Sequence, residues 1–195
     1  MSQTVIKNIG LLVTNNPSLG KTELGLIENA ALLTEHGKIT WVGASENAPT
    51  AEKTVDAAGK AVIPGFVDSH NHLIFAKDRA EEFSARMKGE SYSAGGIATT
   101  VAATRAASDD ELLSNATRLV HEGLHAGTTT VEIKSGYGLS VKDELRSLHI
   151  AKQLTDETTF LGAHVVPSEY KGKADEYVDL ICEQMITQVK ADAKW

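Results

Sequence analysis

The second part of this chain alternates apolar, strand-like runs with amphipathic helical segments, and no other feature constrains its fold as strongly. Near-continuous apolar runs at residues 61–63 and 66–70 together predict one strand that is buried on both faces. Similar runs at residues 128–134 and 158–166 predict two more strands. Strands that are joined through helices lie parallel, with right-handed crossovers. The order therefore predicts an α/β fold, either a doubly wound sheet or a barrel of the TIM type.

Three segments of this part have helical periodicity. Ser108 and Glu111 have the spacing of a capping box at the start of the first helix, and Gly127 is placed to end it. The other two helices are predicted at residues 141–154 and 174–186. A full barrel of eight strand-helix units takes about 250 residues, and this part of the chain has room for roughly three or four units. We therefore expect a fold smaller than a barrel, or the front part of a longer one.

The first part of the chain has a different pattern, with short apolar or β-branched runs bounded by Asn, Pro and Gly. Strands are predicted there at residues 4–9, 11–14, 30–34 and 39–42. The segment Glu35-His36-Gly37-Lys38 predicts a hairpin turn, in which Gly37 can adopt a positive φ. We expect two domains. Residues 1–63 form a small β-rich domain, part of a composite β-sandwich, and residues 64–195 form the first β/α units of a barrel.

Composition and charge exclude several classes of partner. The chain has 19 Lys and Arg against 26 Asp and Glu, which gives a net charge of −7 at pH 7 without a basic patch for phosphates or anionic lipid. Its one cysteine, Cys182, excludes an internal disulfide framework and fits a reducing compartment. No apolar run approaches the ~18 residues of a membrane span. We expect a soluble, cytoplasmic protein with a small-molecule substrate and no nucleic-acid or membrane partner, and leave a homodimer open.

The strongest candidate for chemistry is the pair His70 and His72, which follows the first strand of the second part. Side chains two positions apart in a strand project from the same face, so both imidazoles would point the same way. At the carboxyl end of a barrel strand they would lie where such enzymes place their chemistry. Two neutral imidazoles form half of a site for Zn²⁺ or Fe²⁺. The alternative is two histidines near a strand end that bond only to the backbone.

Five stretches carry a resemblance to a known family. They are GKAVIPGFVDSHNH, HLIFAKDRAEEF, ATRAAS, TTVEIKSGYGL and TTFLGAHVVPSEYKGKADEYVDLICEQM. Over roughly residues 25–185 the chain resembles the imidazolonepropionases of the amidohydrolase superfamily. The resemblance implies a partial TIM-type barrel preceded by a small β domain. It also implies one divalent metal ion, Zn or Fe, and hydrolysis of the cyclic amide of 4-imidazolone-5-propanoate to N-formimidoyl-L-glutamate in histidine degradation.

The resemblance implies a metal-binding role for two residues and a substrate-binding role for a third. His70 and His72 match the first two metal ligands of the family. Arg79 matches an arginine that binds substrate, and a guanidinium suits the propionate carboxylate because it can bind both oxygens at once. Without the resemblance, Arg79 would be interpreted as part of a solvated ion pair with a nearby acidic residue.

Three further residues match positions that contact substrate in the family, namely Tyr92, Tyr137 and His164. A tyrosine ring can stack on a planar imidazolone and still donate a hydrogen bond through its hydroxyl. Tyr137 is the better supported of the two tyrosines because its SGYG loop directly follows a predicted buried strand. From the residues alone, packing in the core or a loop is the favoured interpretation of Tyr92, and His164 could equally be a core histidine.

The family also has machinery that does not occur before Trp195: a third histidine ligand, an aspartate ligand, and a glutamate and histidine for proton transfer. The catalytic acid and base are therefore unknown. The connections after Tyr92 and between Leu154 and Thr158 are shorter than the family pattern. We expect an incomplete or abridged version of such an enzyme, which would aggregate or lack fixed packing when dissolved alone.

Two alternatives to this function stay open. One is a non-catalytic remnant that binds metal or ligand without turnover. The other is a different cyclic-amide hydrolase of the superfamily, such as one that acts on hydantoins, although Arg79 and the SGYG loop favour the imidazolone. Lys134 receives no role, because a lysine at a strand end is more often part of an ion pair than of a reaction.

Overall fold

A computed structural model describes residues 3–20, 22–78, 80–89 and 96–195 of the chain. Its internal contacts divide the chain into two units, Met1–Pro64 and Gly65–Trp195. Across the described ranges, the longest helices fall short of the length and apolar character that crossing a membrane requires.

The first unit is one five-stranded sheet. Its strands are β1 (Gln3–Val13), β2 (Leu26–Glu35), β3 (Lys38–Ala44), β4 (Lys53–Asp56) and β5 (Ala61–Val62). The order is β3-β2-β1-β4, with β5 also paired to β1. The first three strands pair antiparallel, whereas β4 and β5 run parallel to β1. The core of this sheet is formed by Ile9, Leu12, Ala30 and Leu32.

The predicted hairpin turn is confirmed between β2 and β3. His36 has a φ of 52° and Gly37 a φ of 74°, the two positive values that a type I′ turn requires. By contrast, the two strands predicted at residues 4–14 are one continuous strand. Its register shifts between Ile6 and Ile9, where Asn8 adopts a φ of 55°. A bulge of this kind bends a strand without ending it.

The second unit alternates strands with helices. Its strands are β6 (Phe66–Asp68), β7 (Thr128–Val131), β8 (Ile133–Lys134) and β9 (Thr158–Thr159). Its helices are α1 (Ala80–Met87), α2 (Gly96–Ala106), α3 (Asp109–His125), α4 (Val141–Ala151), α5 (Ala174–Leu180) and α6 (Ile186–Val189). A π-helical turn (Ile181–Met185) joins the last two, and a 3₁₀ turn (Ser168–Tyr170) precedes them.

The strands of this unit form an open parallel arrangement. The β6 strand pairs with β7, and β8 pairs with β9, all in parallel. Between these pairs the Glu132 N–H donates to the Asp68 carbonyl at 2.8 Å, so β7 and β8 together form the middle strand. On the other edge of β9, the Trp195 N–H donates to the Thr158 carbonyl at 3.1 Å. The α/β prediction is confirmed, and the described strands do not close into a barrel.

Two strand predictions for this unit are wrong in detail. The first predicted strand is divided, because Ala61–Val62 pairs with β1 in the other sheet. Phe66 and Val67, expected to be buried on both faces, are 57% and 65% exposed, so the described residues leave both faces of β6 largely uncovered. The strand predicted at 158–166 ends at Thr159.

The helices were predicted more accurately than the strands where their hydrophobic periodicity is strong. The Ser108 side chain accepts a hydrogen bond from the Glu111 N–H at the start of α3, and Gly127 has a φ of 96° just beyond its end, as predicted. The α4 helix ends three residues before the predicted position. The third predicted helix continues through the π-helical turn to Val189. No sequence pattern predicted α2, because its residues are mostly Ala and Thr and give a weak apolar stripe.

Candidate active site

His70 and His72 lie in the segment that directly follows β6. Their ring centroids are 5.6 Å apart and the rings are edge-on, at 75°. The Asp68 carboxylate accepts the His70 N–H at 3.2 Å, and the Asn71 carbonyl accepts the Lys134 N–H at 3.0 Å. The two histidines thus lie close together because of a bend after the strand, and not through the strand alternation that the sequence analysis expected.

Two of the predicted substrate residues surround His72. The His72 and His164 rings stack, with centroids 4.4 Å apart and an interplanar angle of 8°. The Tyr137 ring lies 5.3 Å from that of His72 and 5.4 Å from that of His164. Three strand ends therefore contribute to one cluster, since these residues follow β6, β8 and β9. We call His70, His72, Tyr137 and His164 the aromatic cluster.

Gly136 allows His164 to approach the loop that follows β8. The Nδ1 atom of His164 lies 3.0 Å from the Gly136 carbonyl oxygen. Because a carbonyl can only accept, Nδ1 donates in this bond, and Nε2 is the unprotonated nitrogen of the neutral tautomer. Gly136 has a φ of 119°, and a Cβ there would lie 3.0 Å from the His164 Nδ1 and from the Leu161 carbonyl oxygen. Glycine is needed at this position both for its positive φ and because there is no room for a Cβ.

The electrostatics of the cluster favour a neutral His72. Burial, followed by the neighbouring imidazole of His164, lowers the pKa of His72 to about 4. The ring is therefore uncharged at neutral pH, which is the form of histidine that binds metal ions. Its Nδ1 atom is buried and has no hydrogen-bond partner within the described structure. An orphaned imidazole nitrogen beside a second histidine fits a metal site.

The two candidate metal ligands form only part of a complete ligand set. Within residues 3–20, 22–78, 80–89 and 96–195 no group of three or more His, Cys, Asp or Glu side chains could hold an ion. Catalytic zinc generally has three protein ligands and a water. His70 and His72 therefore fit two of the positions around a divalent metal, and their surroundings do not supply the third.

The structure brings together four of the six residues that the sequence analysis selected, and these form the aromatic cluster. The remaining two, Arg79 and Tyr92, lie outside the described residues.

A charged pair next to the cluster received no role from the sequence. The Glu132 carboxylate accepts hydrogen bonds from the Lys134 ammonium and the Thr159 hydroxyl. Its other oxygen, Oε2, is buried without a partner among the described residues. The positive charge of Lys134 is one of the smaller causes that lower the pKa of His72. The signal for this pair was present, because Glu132 and Lys134 alternate in a strand whose other face is apolar.

Glu144 on α4 was also missed. Its side chain is fully buried and accepts the N–H groups of Gly138 at 2.9 Å and Leu139 at 2.6 Å. Burial raises the pKa of its carboxyl, against the opposing effect of the donated hydrogen bonds. One signal could have found it: Glu144 lies one turn before Leu148, on the apolar face of the predicted helix.

Comparison with known proteins identifies relatives along the whole chain. A model described as "Amidohydrolase family" matches residues 53–145. The imidazolonepropionase of Mycolicibacterium smegmatis is 57% identical over 195 residues, which cover 100% of this chain and 49% of that protein. The imidazolonepropionase of Salinispora tropica is 56% identical over 195 residues, with 100% and 50% covered. The chain thus spans about half the length of the curated relatives that it matches.

Solved structures of similar fold include two further enzymes. Guanine deaminase of E. coli gives a TM-score of 0.55 at 18% identity, covering 94% of this chain and 43% of that one. Atrazine chlorohydrolase of Arthrobacter aurescens TC1, complexed with zinc, gives a TM-score of 0.52 at 18% identity, covering 92% and 43%. At such identities the likeness supports the fold alone.

Proposed function

We propose that this chain supplies part of the active site of an imidazolonepropionase. A model of the amidohydrolase family matches residues 53–145, and imidazolonepropionases match the whole chain over about half of their own length. The reaction is metal-dependent hydrolysis of the cyclic amide of 4-imidazolone-5-propanoate, which yields N-formimidoyl-L-glutamate in histidine degradation. The observation that carries the proposal is the aromatic cluster, in which two candidate ligands and two candidate substrate contacts meet at three strand ends.

His70 and His72 would hold one divalent ion, Zn or Fe. When bound, such an ion lowers the pKa of a water ligand toward ~7 and polarises the carbonyl that is attacked. The chain's own contribution is to present the two imidazoles close together, with the His72 ring fixed by stacking on His164. The remaining ligands and the proton-transfer groups would come from outside the described residues.

Tyr137 and His164 would position the substrate. A tyrosine ring offers an apolar face to the planar imidazolone and a hydroxyl for hydrogen bonding. The Gly136 carbonyl accepts a hydrogen bond from Nδ1 of His164. In the neutral ring, Nε2 of His164 can then accept a hydrogen bond from a ring N–H of the substrate. By resemblance, Arg79 would bind the propionate carboxylate and Tyr92 would add a further contact.

The test is a ring-opening assay on the natural gene product that carries this sequence, loaded with Zn²⁺ or Fe²⁺. We expect turnover of 4-imidazolone-5-propanoate, and a loss of at least ~100-fold in kcat/KM for His70→Ala and for His72→Ala. Metal content is measured on the same samples, so that a loss of ion can be separated from a loss of turnover. His149→Ala, on the exposed side of α4, is the matched control for removing a histidine.

The alternatives give different results in the same assay. A non-catalytic remnant would bind the ion through His70 and His72 and give no ring opening above the His70→Ala background. A hydantoin-directed enzyme would turn over hydantoin faster than the imidazolone.

A further inference from the structure

The loop of residues 135–140 carries Tyr137 and makes few hydrogen bonds to its own backbone. We call it the Tyr137 loop. Instead, the loop is held by side chains from three other segments. The first is His164, whose Nδ1 donates to the Gly136 carbonyl at 3.0 Å. Because this bond also fixes the tautomer of His164, the conformation of the loop is coupled to that of the aromatic cluster.

Glu144 is the second of these side chains, and it binds the part of the loop that directly follows Tyr137. One carboxylate oxygen, Oε1, accepts both the Gly138 N–H at 2.9 Å and the Leu139 N–H at 2.6 Å. Hydrogen bonds from backbone N–H groups to a carboxylate are among the stronger ones in proteins. Without this acceptor, two backbone donors in a water-poor environment would have no partner.

Arg105 on α2 binds the same peptide from the opposite direction. Its Nε donates to the Gly138 carbonyl at 2.6 Å, and its Nη1 pairs with the Glu169 carboxylate at 2.8 Å. Gly138 therefore has both its donor and its acceptor bound by charged side chains. Gly138 itself allows this packing, because a Cβ there would lie 2.4 Å from the backbone of Asp143.

Leu139 shows that the loop is strained where Glu144 binds it. It has a φ of 51°, in the left-handed region that leucine rarely adopts, and it is 1% exposed. Its side chain packs in a buried cluster with Tyr177 and Met185. A strained backbone persists only where its surroundings hold it. The hydrogen bond from the Leu139 N–H to Glu144 is one such restraint.

We infer that Glu144 is a positioning residue for substrate binding: it holds the Tyr137 loop in the conformation that places Tyr137 and His164 against the substrate. This inference rests on the proposed function. It goes beyond that function because it names a buried carboxylate on α4 that does not touch substrate, yet keeps the substrate-binding residues in position. Arg105 assists from the other side of the same peptide.

Two variants at this position separate the hydrogen bonds from the volume of the side chain. Glu144→Met keeps an unbranched side chain of similar size and removes the acceptor. Glu144→Gln keeps a carbonyl oxygen that can accept from Gly138 and Leu139. Leu148→Ala is the matched control, because Leu148 lies one turn along α4, is fully buried and does not bond to the loop.

The experiment uses the natural gene product with its metal and combines hydrogen exchange with kinetics. For Glu144→Met we expect amide exchange in a peptide covering residues 136–140 to become at least ~10-fold faster. We also expect KM for the imidazolone to rise at least ~10-fold while kcat falls less than ~3-fold, because a binding contact is lost. Glu144→Gln should return most of the exchange protection and of the KM.

The control and the unsubstituted protein make every outcome decisive. If Leu148→Ala lowers the Tm as far as Glu144→Met and raises KM equally, the effect is general destabilisation and the inference is wrong. Unchanged exchange at 136–140 in Glu144→Met would also overturn it. If the unsubstituted protein does not open the ring, the proposed function fails, and the exchange data alone then decide whether Glu144 holds the loop.

Discussion

Two segments of the aromatic cluster differ in how completely their polar atoms are satisfied. In the Tyr137 loop, Glu144, Arg105 and His164 bind the backbone groups around the tyrosine. The atoms left over there, Glu144 Oε2 and Arg105 Nη2, belong to the side chains that hold the loop and not to the loop itself. In the segment that carries His70 and His72, the side-chain amide of Asn71 and the Nδ1 atom of His72 are buried without partners among the described residues. Under the proposed function, this chain would order the substrate side of the site, which consists of Tyr137 and His164. The metal side, which consists of His70 and His72, would need further groups to complete it.

The largest effect is expected from removing a candidate metal ligand. His72→Ala should weaken Zn²⁺ binding at least ~100-fold, or about 2.7 kcal/mol, because one of the two candidate imidazole ligands is removed. Binding is measured by competition with a chelator of known affinity. An unchanged affinity in His72→Ala, with His149→Ala as the control, would show that the ion binds elsewhere.

The second-largest effect is expected from a substitution that disrupts the conformation of the Tyr137 loop. Gly136→Ala should lower the free energy of unfolding by about 2–3 kcal/mol, because the new Cβ has both an unfavourable φ and close contacts to His164 and Leu161. The matched control is Gly172→Ala, where φ is 78° and no atom lies within 4 Å of the added Cβ. That variant should lose only about 1 kcal/mol. Equal losses in a denaturant titration would contradict the role of the close contacts.

The pH dependence of stability sharpens the comparison at Glu144. Burial raises its pKa in the folded state above the ordinary value of 4.5. Its contribution to stability is therefore full below the unfolded-state pKa and is lost as pH rises through the folded-state pKa. We expect the unsubstituted protein to lose up to about 1.4 kcal/mol per pH unit across that interval relative to Glu144→Gln. The free energy of unfolding of both proteins is measured by denaturant titration between pH 4 and 8. If it changes with pH in the same way in both, the pKa of Glu144 is not raised in the folded state.

The smallest effect concerns the unsatisfied polar atoms of the metal side. Asn71→Leu replaces a buried amide that has no partner with an apolar group of comparable size. Without metal, we expect the free energy of unfolding to rise by about 0.5–1 kcal/mol, since an unsatisfied polar group costs stability. A clear loss of stability would indicate that the amide has a partner and that the two sides of the site do not differ as described.

Several features could be predicted from the sequence because their signals are local. Ser108 and Glu111 cap α3 as their spacing indicates, and the turn at His36 and Gly37 follows from its residue types. The resemblance to amidohydrolases is likewise carried by continuous stretches of residues. Other predictions were less accurate where tertiary partners decide the outcome. Val67, for example, has the residue type of a buried strand and is exposed, because burial depends on what packs on that face of the sheet.

The sequence by itself indicated the fold class, the resemblance to amidohydrolases and the residues proposed to bind metal and substrate, because periodicity and motif spacing are properties of short segments. Only the tertiary structure decided that His72 stacks on His164, and that Arg105 reaches Gly138. It also decided that Glu144 holds the Tyr137 loop. The physical reason is that these contacts require particular distances between groups from different strands, helices and loops. The order of residues along the chain does not fix those distances, which are set only when the core packs.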